Sequence, residues 1–240
     1  MRPHRTEAII LHTHAARERD KLVVFLTPEL GKRKGFAYGA RSMKTRFGAS
    51  LEPLAKVHIG FVEREADEVV RIESIDLIRS LFPAQQNLAA SIAATYIAET
   101  VDTFAQADDP SELIYRLLDR CCEALLGGAP ALAVVTYAEL WMLRLTGIFP
   151  SLKSCIECDD ALPKPLRFSA RVAGFVCEMH GGDVIPNEVT AALETLFRVP
   201  VAEFSAPPEI LFELRSLAAT IRRHFLGHEL KSFEVLASVI

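Results

Sequence analysis

One tryptophan, five cysteines and 12 glycines in 240 residues exclude several architectures. Glycine this sparse rules out a collagen-like or low-complexity chain, and 50% hydrophobic with 24% charged residues rules out a disordered one. No apolar run reaches the ~20 residues that a bilayer span demands. The most apolar stretch, Ala131–Phe149, is interrupted by Glu139 and Arg144. The first residues, MRPHRTEAIILHTHA, carry basic side chains and an apolar run of only about four, with no small-residue cleavage pattern. The chain is therefore expected in the cytoplasm with its thiols reduced, so cysteine is read as a metal ligand and not as disulfide material. No P-loop, G-x-G-x-x-G or G-x-S-x-G is present, which leaves ATP hydrolysis and acyl transfer without visible machinery.

What remains is an ordinary globular composition, long enough for one large domain or two to three small ones. Net charge is −4, but it is unevenly spread. Residues 1–80 hold 15 Lys and Arg against 11 Asp and Glu, so the remainder carries −8. Such asymmetry suggests an acidic body bearing a basic working surface.

Short segments rich in β-branched or aromatic residues fill the first 80 positions: Ala8–His12, Lys21–Leu26, Gly35–Tyr38, Val57–Val62 and Val69–Ile75. Five short strands fit a small closed or nearly closed barrel, because closure removes exposed edges. An SH3-like barrel is the competing architecture. Beyond Pro83 the apolar period changes to three or four. Helices are predicted over Asn87–Phe104, Glu112–Leu126 and Pro130–Thr146, then over Asn187–Phe197 and Glu209–Phe225. Residues 151–182 interrupt this helical body as an insertion. The fold class is α+β: a barrel at 1–80, a helical part at 81–150, the insertion at 151–182 and a helical end at 183–240.

The insertion contains Cys155-Ile-Glu-Cys158 and, after eighteen residues, Cys177-Glu-Met-His180. Two ligands three apart on a tight turn reach one metal together, and two such knuckles complete a tetrahedron, which is the spacing of a zinc ribbon. Four protein ligands leave no open coordination position, so the expected role of one Zn²⁺ is structural. A zinc deaminase is excluded by the missing H-x-E and by Ser154 where proline is required. Cys121 and Cys122 lie mid-helix and read as core.

Lys32, Arg33, Lys34, Arg41, Lys44 and Arg46 fall within fifteen residues that contain no acid, with Phe36, Tyr38 and Phe47 interleaved. Cations beside stacking rings on a small barrel suit sequence-independent, salt-sensitive binding of nucleic-acid strands. The competing reading is a solvated loop, and binding requires that these cations share one face without being neutralised. His12 and His14 share strand parity but have no acid or nucleophile near them in sequence, so catalysis is not expected there. Glu63 and Glu65 read as solvated.

Several runs resemble the RecO recombinational DNA-repair family: ERDKLVVFLTP at 18–28, GARS at 39–42, RFGASLEP at 46–53, LTGIFPSLKSCIEC at 145–158 and HFLGHELKS at 224–232. The resemblance implies an OB-fold barrel followed by an α-helical domain with a zinc-ribbon insertion. It also implies binding of single- and double-stranded DNA and strand annealing. The implied partners are RecR, single-strand-binding protein through its acidic tail, and RecA indirectly. Carried onto this sequence, the six cations of 32–46 become the DNA-facing candidates and Cys155, Cys158, Cys177 and His180 the zinc ligands. Arg222, Arg223 and Lys231 become further candidates for DNA or for an acidic tail. The function expected is that of a non-enzymatic, nucleoid-associated mediator, the alternatives being a zinc-containing interaction scaffold without intrinsic DNA binding and a zinc-dependent enzyme.

Overall fold

The computed structural model describes residues 2–16, 18–42, 47–63, 68–107 and 109–240. By packing, the chain divides after Gly128 into two compact units.

In the first unit, strands β1 (Arg2–Ala15), β2 (Lys21–Thr27), β3 (Gly31–Ala37), β4 (Lys56–Glu63) and β5 (Val70–Arg79) close into a barrel of order β1-β2-β3-β5-β4. All pairs are antiparallel except the short parallel contact of β3 with β5 at Gly35↔Val70 and Phe36↔Arg71. Alternate residues point inward, and the interior is filled by Ala8, Ile10, Val23, Phe25, Ala37, Val57, Ile59, Phe61, Val70 and Ile72. β1 is much longer than its apolar centre suggests. Its polar first half pairs with β4 from Arg2↔Glu63 to Ile9↔Lys56, and its second half pairs with β2. A bulge between Ile10 and His12 separates the two halves. At that point Leu54 N–H donates to the Ile10 carbonyl and Ile10 N–H to the Ala55 carbonyl.

Helices α1 (Phe82–Gln85), α2 (Leu88–Phe104) and α3 (Glu112–Leu126) belong to the same unit. Asn87 caps α2, its side chain accepting from the Ala90 N–H at 3.1 Å, as its residue type predicts. Cys121 and Cys122 are buried in α3. An ion network ties α3 to the strands: Lys56 meets Asp119 at 2.9 Å and Glu7 at 3.1 Å, and Arg79 meets Asp119 at 2.6 Å. Gly31, at φ +67°, opens β3 where a Cβ would lie 2.3 Å from the Asp109 carbonyl oxygen, so only glycine fits there.

The second unit holds α4 (Ala131–Leu145), a three-stranded sheet, and helices α5 (Asn187–Leu196), α6 (Pro208–Leu226) and α7 (Phe233–Val239). The sheet runs β7-β6-β8, with β6 at Arg167–Ser169, β7 at Gly174–Val176 and β8 at Asp183–Val184. Phe149 joins sheet and helices, its ring 6.1 Å from Phe175 and 5.2 Å from Phe197. Trp141 packs edge-on against Phe197 and donates its indole N–H to the Leu196 carbonyl. The short helices α1 and α7 are absent from the sequence reading because their few residues show no sustained period.

Arg222 of α6 is fully buried between the carboxylates of Glu139 and Glu229, its guanidinium 4.8 Å over the Phe233 ring. This corrects the expectation for Arg222. It points inward to join α4, α6 and the turn before α7, and is no surface cation. Arg223 is more than half exposed and lies 3.5 Å from Glu229. Among the described residues, no helix is long and apolar enough to cross a membrane.

Candidate metal centre and nucleic-acid interface

Cys155, Cys158, Cys177 and His180 come together in the second unit, their ligand atoms all within 4.8 Å of one another. The first knuckle is tied by Cys155 N–H to the Asp160 carbonyl and by Asp159 N–H to the Cys155 carbonyl. The second is a single 3-10 turn closed by His180 N–H to the Cys177 carbonyl. It leaves through Gly181 and Gly182 at φ +75° and +85°. A Cβ on Gly182 would sit 2.9 Å from the Phe168 carbonyl oxygen, so the doublet lets the knuckle fold back over the sheet.

The separations test the fit to a metal. Zn–S bonds of ~2.3 Å and Zn–N bonds of ~2.0–2.1 Å at tetrahedral angles require S···S near 3.8 Å and S···N of about 3.5–3.6 Å. Cys158 and Cys177 Sγ lie 3.8 Å apart, and Cys155 Sγ lies 3.6 Å from His180 Nδ1. Cys177 Sγ is closer to Nδ1, at 3.1 Å. Burial works to raise the Cys155 thiol, but backbone N–H groups of Cys177, Glu157 and Cys158 outweigh it and bring the thiol down to about 6. The His180 imidazole, with help from backbone N–H groups, lowers the Cys177 thiol. Cys158 moves the other way: the Asp160 backbone N–H lowers its thiol, but burial and the side chains of Cys155, Asp160 and Cys177 outweigh that and push it up to about 12. Two of the three thiols are thus eased toward the thiolate that binds a metal, and the four ligand atoms are close enough to hold one ion of the zinc type.

The basic stretch is arranged differently from its reading as a loop beside a strand. Lys32, Arg33 and Lys34 are inside β3, so they alternate. The strand is imposed by its pairing with the apolar β2, where Leu26↔Lys32, Phe25↔Arg33 and Val24↔Lys34 stand opposite. Phe25 faces the interior, so Arg33 shares that parity and reaches the barrel's end, where it meets Glu63 at 3.1 Å beside His4. Lys32 and Lys34 take the outer face. Lys32 meets the Asp102 carboxylate of α2 at 3.1 Å and donates to its main-chain carbonyl. The expectation of cations without counter-charge is therefore corrected for Lys32 and Arg33, whose acids come from 70 and 30 residues away.

Lys34 is exposed on the outer face. Arg41 is exposed in the turn after β3, held by its own N–H to the Arg19 carbonyl and by the Gly39 N–H to Asp20. Lys44 and Arg46, like Glu65, lie outside the described residues. Phe47 is core. Phe36 and Tyr38 lie side by side, ring centres 6.0 Å apart, with Arg71 5.8 Å over Tyr38. Arg71 and the outward-facing His12 and His14 lie on the same outer face, although the sequence reading did not group them with the basic stretch. The parallel pairing Phe36↔Arg71 is a non-local contact with no signal in sequence.

The chain is similar to known proteins along nearly its whole length. A family model described as recombination protein O, N terminal, matches residues 1–81, and one described as recombination protein O, C terminal, matches residues 85–234. Among curated relatives, the DNA repair protein RecO of Koribacter versatilis is 33% identical across 85% of this chain and 84% of the relative. That of Syntrophus aciditrophicus is 28% identical across 98% and 96%. That of Anaeromyxobacter sp. strain K is 31% identical across 92% and 91%.

Proposed function

Since this chain belongs to the recombination protein O family, and with it to DNA repair, we propose that it acts as a DNA-binding, strand-annealing mediator and not as an enzyme. The closed five-stranded order supports an OB-fold assignment for residues 1–80, and the Cys3His cluster supports a zinc-ribbon insertion at 151–182 within the helical parts 81–150 and 183–240.

The observation that carries the reading is the outer face of β3, where the exposed Lys34 adjoins the Phe36–Tyr38 pair and Arg71. Charge there meets phosphates while rings offer stacking to any base, so binding of single and double strands is largely independent of sequence. Cations engaging two backbones at once lower the repulsion between complementary strands. Base pairing supplies the driving force, and no nucleotide cofactor is needed. Arg41 extends the contact surface, Lys44 and Arg46 are proposed as further phosphate contacts on their charge alone, and Lys32 joins by exchanging Asp102 for phosphate. Arg33 contributes through the barrel end it closes with Glu63. In this reading the protein works in the cytoplasm at the nucleoid. It cooperates with RecR and meets the acidic tail of single-strand-binding protein, assisting RecA indirectly. Zn²⁺ is a structural staple of the second unit.

The second reading is a zinc-containing interaction scaffold without intrinsic DNA binding, favoured by the neutralisation of Lys32 and Arg33. Anisotropy with a labelled oligothymidylate, together with an annealing assay on complementary oligonucleotides, separates the two. Lys34→Ala should weaken binding and flatten its salt slope by about 0.7, the loss of one single-strand phosphate contact. Absence of oligonucleotide binding by the unaltered protein at low salt would leave the scaffold standing.

A further inference from the structure

The bulge in β1 re-aims two histidines. Before it, Ala8 and Ile10 point inward. Continued alternation would send residues 12 and 14 inward as well. The inserted Leu11 shifts the register so that His12 stands opposite Val24 and His14 opposite Leu22, both on the outer face. The two imidazoles meet edge to face with centroids 4.8 Å apart. Val24 is in turn paired with Lys34, so His12, Val24 and Lys34 form one row across three strands spanning about 10 Å.

We propose that His12 and His14, with Lys34, form a proton-dependent phosphate subsite on the outer face of the barrel, so that nucleic-acid binding there takes up protons. The inference rests on the reading of this face as a DNA interface and adds its regulation by pH. The groups facing His12 are known from each side. His14 lies on its own strand, Lys32 and Lys34 come from β3, and Asp102 comes from α2, its carboxylate 3.7 Å from His12 Nε2 and shared with Lys32. β2 offers the apolar Leu22, Val24 and Leu26 on this face. Among the described residues, His12 and its three basic neighbours thus confront one carboxylate.

That balance disfavours a charged ring in the free protein. Burial is the largest influence holding His12 below the ordinary imidazole value. Asp102 opposes it, and His14, Lys32 and Lys34 add to it. A phosphodiester placed between the rings and Lys34 supplies the missing negative charge and reverses the preference. Binding and protonation then favour each other, and affinity rises as pH falls, by up to about tenfold per pH unit for each proton taken up.

The test is anisotropy of a fluorescein-labelled oligothymidylate at constant ionic strength from about pH 8 to about pH 6, with His12→Gln/His14→Gln and with His14→Gln alone. Glutamine keeps hydrogen-bonding capacity and does not titrate. The unaltered protein should tighten as pH falls. The folded double variant should lose the slope. His14 is exposed, so His14→Gln is not expected to disturb folding and should reduce the slope by itself. A slope that persists in the folded double variant, or in His14→Gln should the double variant not fold, overturns the proposal. So does a flat profile in the unaltered protein. Either result leaves the DNA interface standing. Absence of binding at every pH overturns the interface itself and the subsite with it.

Discussion

Asp102 is the residue whose removal should strengthen the protein's hold on DNA. Its carboxylate lies 3.1 Å from Lys32 Nζ, in a pair whose side chains are 15% and 31% exposed, so Lys32 is half-withdrawn from the outer face. Asp102→Asn removes the charge while keeping shape and hydrogen bonding. Lys32 stays anchored through the main-chain carbonyl of residue 102 and is released electrostatically. The lost pair costs about 1 kcal/mol of stability, which lowers the melting temperature of a chain this size by about 2–4 °C. Against that, one further cation becomes available to phosphate. For single strands each additional contact steepens the log–log salt slope by about 0.7, so the affinity ratio of variant to unaltered protein should change about 2.6-fold between about 50 and about 200 mM salt. The variant should be the tighter binder at the lower concentration. Oligothymidylate anisotropy near pH 8 isolates Lys32 from His12. A slope equal to that of the unaltered protein, or shallower, would refute the view that Asp102 holds this cation in check.

Chelation should destabilise the second unit while oligonucleotide affinity changes little. A structural metal supplying even ~3 kcal/mol corresponds to a melting shift of roughly 6–12 °C by calorimetry. Glu139→Gln should cost about 3–5 kcal/mol in urea unfolding, because it leaves a fully buried Arg222 short of one partner. Glu229→Gln should cost less, its side chain being 26% exposed. Gly31→Ala should lower stability by about 2 kcal/mol or more, since the new methyl meets the Asp109 backbone at a positive φ.

The legible parts of the molecule are those whose signal is local. The helix at Leu88–Phe104 and its Asn87 cap follow from the apolar period and one residue type. The metal quartet was visible because ligands three apart must share a turn. The basic stretch was legible as composition but not as geometry. Lys32-Arg33-Lys34 has little intrinsic preference for a strand, and pairing with Val23–Leu26 makes it one. That pairing separates Arg33 from its neighbours, and Glu63 and Asp102 arrive through contacts no short window contains. Arg222 shows the same limit. Beside Arg223 and His224 it resembles a basic helix end, yet the tertiary fold supplies two acids and buries it. The outward turn of His12 depends on a single bulged residue, which pattern reading does not resolve.

The β1–β4 ladder has a practical corollary for handling the molecule. From Arg2↔Glu63 to Ile9↔Lys56, it is the seam that turns a ribbon of strands into a cylinder. Trimming the opening residues, or crowding them with a bulky N-terminal fusion, would unzip that seam and lay bare the backbone of β4. The resulting open edges invite strand exchange between molecules. Clumping of preparations that lack residues 2–9 would trace to this seam before any surface charge is blamed.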